Sequence, residues 1–175
     1  MVWLNQGPSF RFIFMSSSFV RSAALTTPAY LGLPARVSEG LTAYFHSGAL
    51  DVVQAGSAAK ARQIASCFTR DALLNTAAGE ALVGRAAVEA FFGAGLNPVM
   101  QPGFVPKPEW DTACVLPDKH GVAIQVVLST PKIDIRVADW FYFNSEGLLW
   151  RMDILRVVPN VPVSAIVGDK PAKRD

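Results

Sequence analysis

From Trp110 onward the apolar residues recur with a period of two, in four runs separated by short turns, and this alternation constrains the fold more than any other feature. The runs lie at about Trp110–Leu116, Val122–Ser129, Ile133–Asn144 and Leu148–Val158. Between them stand turn-forming clusters, Pro117-Asp118-Lys119-His120-Gly121, Thr130-Pro131-Lys132 and Asn144-Ser145-Glu146-Gly147. Connections this short predict antiparallel neighbours. The preceding part has helical spacing. Val37, Leu41, Tyr44, Phe45, Gly48 and Val52 recur at three and four, predicting a helix from near Val37 to Gln54-Ala55-Gly56, with Ser38 as a candidate N-cap. Ser57 opens a second helix with Ala61, Ile64 and Phe68 on its face. A short strand at Ala72–Thr76, a turn at Ala78-Gly79-Glu80 and a third helix over Arg85–Phe92 follow, and Pro98 to Pro108 reads as a proline-punctuated loop. Helices first and antiparallel strands after make an α+β chain.

Composition excludes several classes. Only 17% of residues are charged and 51% are apolar, which is globular rather than disordered. No apolar stretch reaches the length that spans a bilayer, so no membrane role is expected. Residues 1–38 hold Arg11, Arg21 and Arg36 and no acid; setting these aside leaves the remainder of the +2 chain one unit negative. A near-neutral body without a basic stripe does not fit nucleic-acid binding, which depends on neutralising phosphates. Cys67 and Cys114 read as buried thiols of a reducing compartment, with a single disulfide as the alternative. His46 and His120, the two histidines, have no ligand neighbour, so no metal site is expected.

Residues 1–36 are rich in Ser, Pro and Phe and show no sustained period, reading as a poorly ordered extension or an organellar transit-like leader. The expected location is cytoplasmic, or organellar if the leader is a targeting segment. Residues 159–175 read as a surface tail.

Three strings carry a resemblance. GEALVGRAAVEAFF (Gly79–Phe92), ADWFYFNSEGLLWRMDIL (Ala138–Leu155) and FTRDALL (Phe68–Leu74) are similar to segments of the nuclear transport factor 2-like superfamily, and the element order is the same. Within it the chain looks closest to the SnoaL-like group of polyketide cyclases, with ketosteroid isomerases and epoxide hydrolases as relatives. The resemblance spans residues 37–158. It implies a cone in which three N-terminal helices pack on a curved, mostly antiparallel sheet around a pocket, often with dimerisation through the sheet's outer face.

Alternation places Ile133, Ile135, Val137, Asp139, Phe141 and Phe143 on one face of a strand, so Asp139 is a carboxyl in an apolar wall. Burial disfavours its charged form, and a neutral carboxyl donates a hydrogen bond to a developing oxyanion. Asp139 also falls where the resemblance puts such an acid in isomerase-like relatives. A structural acid paired with an arginine is the alternative, and Arg156 is that candidate. If Trp150, Met152, Ile154 and Arg156 share the inward face, Arg156 reaches the pocket; a slip of one residue exchanges it with Asp153. Tyr44 offers a phenol donor or a core tyrosine, and His46 a general base or a surface or core histidine.

The catalytic candidates are thus Asp139, His46, Tyr44 and Arg156, and the substrate-binding candidates Phe141, Phe143, Trp150, Met152 and Thr76. Thr76 stands where isomerase relatives carry a basic carboxylate, and Ile154 where epoxide hydrolase relatives carry an acid, so neither activity transfers as it stands. The expected function is a cofactor-independent acid–base enzyme, a cyclase, isomerase or dehydratase (lyase) acting on a small hydrophobic polyketide-, terpenoid- or steroid-like molecule. The alternative is a non-catalytic ligand-binding or dimerisation module. Trp140 and Tyr142 project from the opposite face of the same strand, which predicts a homodimer there.

Overall fold

The computed structural model describes residues 24–95 and 97–156. Helix α1 spans Ala35–Gly48, the single turn α2 Val52–Ala55, α3 Ser57–Ser66 and α4 Arg85–Gly93. The strands are β1 Phe68–Asn75, β2 Ala81–Val83, β3 Val105–Val115, β4 Gly121–Ser129, β5 Asp134–Phe143 and β6 Leu149–Arg156. They form one sheet in the order β2-β1-β6-β5-β4-β3. Every pairing is antiparallel except the parallel pair β1–β6. This is the mixed α+β architecture that the alternation predicted.

The helices lie over one face of the sheet, and the core fills the space between. Val37, Leu41 and Phe45, four residues apart on α1, are all buried, as are Ala61 and Ile64 of α3 and Val88 and Phe92 of α4. They meet Val122, Ile124 and Val126 of β4, Phe141 and Phe143 of β5, and Leu149 and Met152 of β6. Two glycines set how closely α1 approaches. A Cβ at Gly40 would collide with the backbone of Gly147, and one at Gly147 (φ +80°) with the backbone of Arg36, so the helix rests directly on the β5–β6 turn.

Several boundaries differ from those the sequence predicts. The long first helix ends at Gly48, and Asp51 starts a separate turn by accepting the Val53 amide at 2.9 Å. Ser38 lies inside α1 rather than capping it, and Ser57 is the first residue of α3 after Gly56. β1 begins at Phe68, four residues early, and the three-residue β2 pairs with it through Leu73–Val83. β3 begins at Val105 and takes in Pro106 and Pro108; as the sheet's edge strand it tolerates residues that cannot donate to a ladder. The folded body also starts before residue 37. Leu25 and Thr27 are buried, Trp110 donates to the Ala24 carbonyl at 2.9 Å, and the Thr27 amide donates to Thr42 Oγ1 at 3.0 Å. Residues 1–23 and 157–175, which include most of the leader and the whole tail, lie outside the described residues.

Both cysteines are free. Cys67 is buried as expected, but Cys114 is exposed, because it follows the bulge that displaces β3 from β4 between Glu109 and Cys114. No helix among the described residues is long and apolar enough to cross a membrane.

Candidate active site

Between the helices and the concave face of the sheet lies a cavity of about 530 Å³. Leu128 of β4, Ile135 and Val137 of β5, and Met152 and Ile154 of β6 make its floor. Phe91 and Phe92 of α4 and the segment Asn97-Pro98-Val99 make its wall. That segment is a 3-10 turn whose Asn97 side chain accepts the Val99 amide at 3.1 Å, so the polar end of Asn97 is engaged locally. The remaining polar side chains on the lining are Tyr44 and Asp139. A narrower crevice lined by both of them continues toward Phe45, Phe104 and Pro106.

Asp139 is 4% exposed, and its Oδ1 has no hydrogen-bond partner. Its cross-strand neighbours are Ile124 and Ile154. No cation faces it among the described residues, and burial pushes its pKa up from 3.8 to about 8. The shift favours the protonated form at neutral pH, in which the carboxyl is a hydrogen-bond donor and a proton source. Tyr44 reaches the same space from α1. Its ring packs edge-on against Phe141 at 5.2 Å and Phe45 at 5.6 Å between centroids. Burial first, then the Asp139 carboxyl and Cys67, raise its pKa well above 10, so the phenol keeps its proton. The site therefore presents two protonated oxygens in an apolar cavity.

The structure distributes the other expected residues. Met152 lines the cavity. Phe141 and Phe143 are 0% and 2% exposed and belong to the packed core; α1 brings Tyr44 and Phe45 down on that end of β5 and fills it. Trp150 is on the other side of the sheet. A bulge between Tyr142 and Phe143 pairs Leu149 with Phe143 and Arg151 with Tyr142, which turns Leu149 inward and leaves Trp150 46% exposed against the Tyr142 ring. Thr76 caps the β1–β2 turn, its Oγ1 accepting the Glu80 amide at 3.2 Å, and Ala77 beside it reaches the cavity instead. His46 faces a second pocket of about 380 Å³, away from the cavity, together with Ala49 and Leu50. Arg156 closes β6 opposite Val137, and its side chain lies outside the described part.

Asn97, Val99 and Leu128 were not singled out by sequence, whereas the reading of the third helix already turned Phe91 inward. The 97–99 turn carries no periodic signal, and only tertiary packing turns it into a wall. Leu128 and Ile135 follow the same alternation as Asp139 and were legible in principle.

No protein-family model and no curated protein matches the chain by sequence. Solved structures do match it in fold. One is the epoxide hydrolase/cyclase-like enzyme SalBIII, of pyran ring formation in the polyether salinomycin, at 19% identity and TM-score 0.52 over 70% of this chain and 92% of that one. Another is a steroid delta-isomerase from Pseudomonas aeruginosa, at 15% identity and TM-score 0.52 over 77% and 88%. A third is a computationally designed 17-OHP binder, at 11% identity and TM-score 0.53 over 70% and 92%. The chain thus has the nuclear transport factor 2-like cone fold, shared with cyclase-like enzymes, isomerases and a designed binder.

Proposed function

We propose that the chain is a cofactor-independent acid–base enzyme of the isomerase, cyclase or dehydratase type, acting on a small hydrophobic polyketide-, terpenoid- or steroid-like molecule. The observation that carries this is Asp139, a buried carboxyl without a hydrogen-bond partner among the described residues, set in the wall of an apolar cavity where burial favours its protonated form. Its proton goes to a carbonyl, hydroxyl or epoxide oxygen of the substrate while the Tyr44 phenol hydrogen-bonds the same oxygen. The carboxylate left behind then takes a proton from a neighbouring carbon or hydroxyl. One carboxyl is thereby donor and acceptor in turn and ends as it began, so no separate base is required. The apolar lining supports this role twice, by keeping the carboxyl neutral and by selecting an apolar substrate.

Asp139→Asn and Asp139→Ala are expected to lower turnover of a responsive polyketide, terpenoid or steroid substrate by about 10²–10⁴-fold, with unchanged far-UV circular dichroism. Turnover equal to wild type in both variants would remove the assignment.

The second reading is a non-catalytic binding module. It is favoured by the absence of a titratable side chain other than Tyr44 beside Asp139 among the described cavity residues. The designed binder supports it, because the same fold was made to hold a ligand without a stated reaction. Stoichiometric retention of an unchanged ligand, with no product over many hours, separates it from the enzyme.

We propose further that two copies pair through the convex face of the sheet. Trp140 and Tyr142 are half-buried there, Trp150 is exposed beside Tyr142, and Arg151 lies 5.2 Å over the Tyr142 ring with Asp153 bonded to it at 2.9 Å. Aromatic rings with a charged rim are the composition of an interface core and its edge. Sedimentation velocity on the full chain checks it, a monomer at micromolar concentration being the adverse result.

A further inference from the structure

Among the described residues five buried side-chain polar atoms lack a hydrogen-bond partner, and three of them belong to residues that contact Phe104 or share a pocket lining with it. Asp139 lines the crevice of which Phe104 is also a wall. His46 lines the second pocket, of which Phe104 is likewise a wall. Lys60 is fully enclosed, with Nζ 5.0 Å from the Phe104 ring centroid. Buried polar groups in folded proteins are almost always satisfied, so three orphans in and beside the spaces that Phe104 lines call for partners from outside the chain.

Phe104 is the one lining residue that the crevice and the second pocket share. It follows Gly103, whose φ of +74° marks a turn, and precedes the edge strand β3, so it stands at the end of a loop rather than within a sheet ladder. Displacing one ring would join the two spaces, with Lys60 Nζ 5.0 Å from the centre of the place it leaves. Lys60 is then the charged group among the three orphans. Its ammonium has no bonded carboxylate; Asp51, the acid that acts on it, is exposed at the pocket rim and already accepts the Val53 amide. Charge complementarity therefore calls for an anionic oxygen from the ligand.

We propose that Phe104 is a gate between the acid cavity and the His46 pocket, and that the ligand is an elongated apolar carboxylic acid whose carboxylate pairs with Lys60 while its body lies toward Asp139. His46 Nε2 supplies a second polar contact on the far side of the ring. This deepens the function proposed above and rests on it, since both need the same cavity to hold an apolar molecule.

The test is calorimetric and stopped-flow titration of the full chain at pH 7 with dodecanoate and with dodecanol, which differ in the charged end alone. Dodecanoate is expected to bind about tenfold more tightly, as one charge-assisted hydrogen bond gives. Lys60→Met, which keeps the apolar stem, should erase that preference and leave dodecanol binding unchanged. Asp139→Asn should keep it. Phe104→Leu should speed dodecanoate association several-fold. Equal affinity for the two probes, or a preference that survives Lys60→Met, overturns the carboxylate assignment alone. An unchanged association rate in Phe104→Leu overturns the gate. Failure of the wild type to bind either probe overturns both this proposal and the cavity reading beneath it.

Discussion

The two faces of β5 differ in an unexpected direction. On the concave side, Val137, Phe141 and Phe143 are accompanied by a carboxyl, Asp139; on the convex side, Trp140 and Tyr142 carry aromatic rings toward the surface. Polarity is inverted at adjacent positions, acid inside and rings outside. A stable fold needs neither. A buried carboxyl costs stability unless it remains neutral, and exposed rings gain nothing until something covers them. The proposed ligand within the cone and the proposed second copy against the sheet would each account for one inversion.

The concave inversion has the largest measurable consequence. Asp139 has a pKa of about 8 in the folded chain against 3.8 for the free side chain, so the native state binds the proton more tightly. Stability must fall as pH rises between those values, because the unfolded carboxyl ionises freely while the folded one resists. Asn in its place does not titrate. The stability of Asp139→Asn relative to wild type should therefore increase from pH 4 to pH 9, by on the order of 5 kcal/mol at the top of the range. Urea denaturation at several pH values measures it. Parallel curves for the two proteins would mean that Asp139 is not buried as a neutral acid.

A second contrast lies along the concave face itself. Phe141 is clasped by Tyr44, Phe45 and Phe143, with ring centroids 5.2, 5.8 and 6.4 Å away, whereas Leu128 opens onto the cavity. Phe141→Ala should cost about 3–5 kcal/mol, since it empties a filled site. Leu128→Ala should cost about 1–2 kcal/mol, because part of its surface already faces space. Equal costs would show that the cavity closes in solution, and the packed and open parts of the concave face would then be alike.

This contrast also marks where the sequence was legible. Alternation placed Asp139 on the inner face and Trp140 and Tyr142 on the outer one, since a period of two survives any tertiary arrangement that keeps the strand straight. It misplaced Trp150, because a bulge adds a residue that alternation cannot count. It took Phe141 and Phe143 as pocket lining, because which end of a strand an overlying helix fills depends on how α1 docks, and that docking is fixed by Gly40 against Gly147, distant in sequence. The segment at residues 24–34 was assigned to the leader for a related reason. A strap whose regular structure is a single 3-10 turn, Ala29–Leu31, has no sustained period of its own, and Leu25 and Thr27 owe their places to contacts with partners elsewhere in the chain.

The convex inversion gives the smallest effect and the most selective one. Trp150 stands at the bulge, 46% exposed, with its ring centroid 5.7 Å from that of Tyr142. Trp150→Glu would place a carboxylate in the proposed aromatic interface and, if the pairing is twofold, bring its copy near it. The dimer dissociation constant should rise by at least about tenfold, the loss expected of an aromatic anchor. The monomer should hardly notice, within about 0.5 kcal/mol, because the side chain is on the surface. Sedimentation equilibrium reads the first quantity and thermal denaturation below the dissociation constant the second. A variant that associates like wild type would move the interface elsewhere. One that loses several kcal/mol as a monomer would show that Trp150 belongs to the fold, and that the rings on the convex face stabilise the chain on their own.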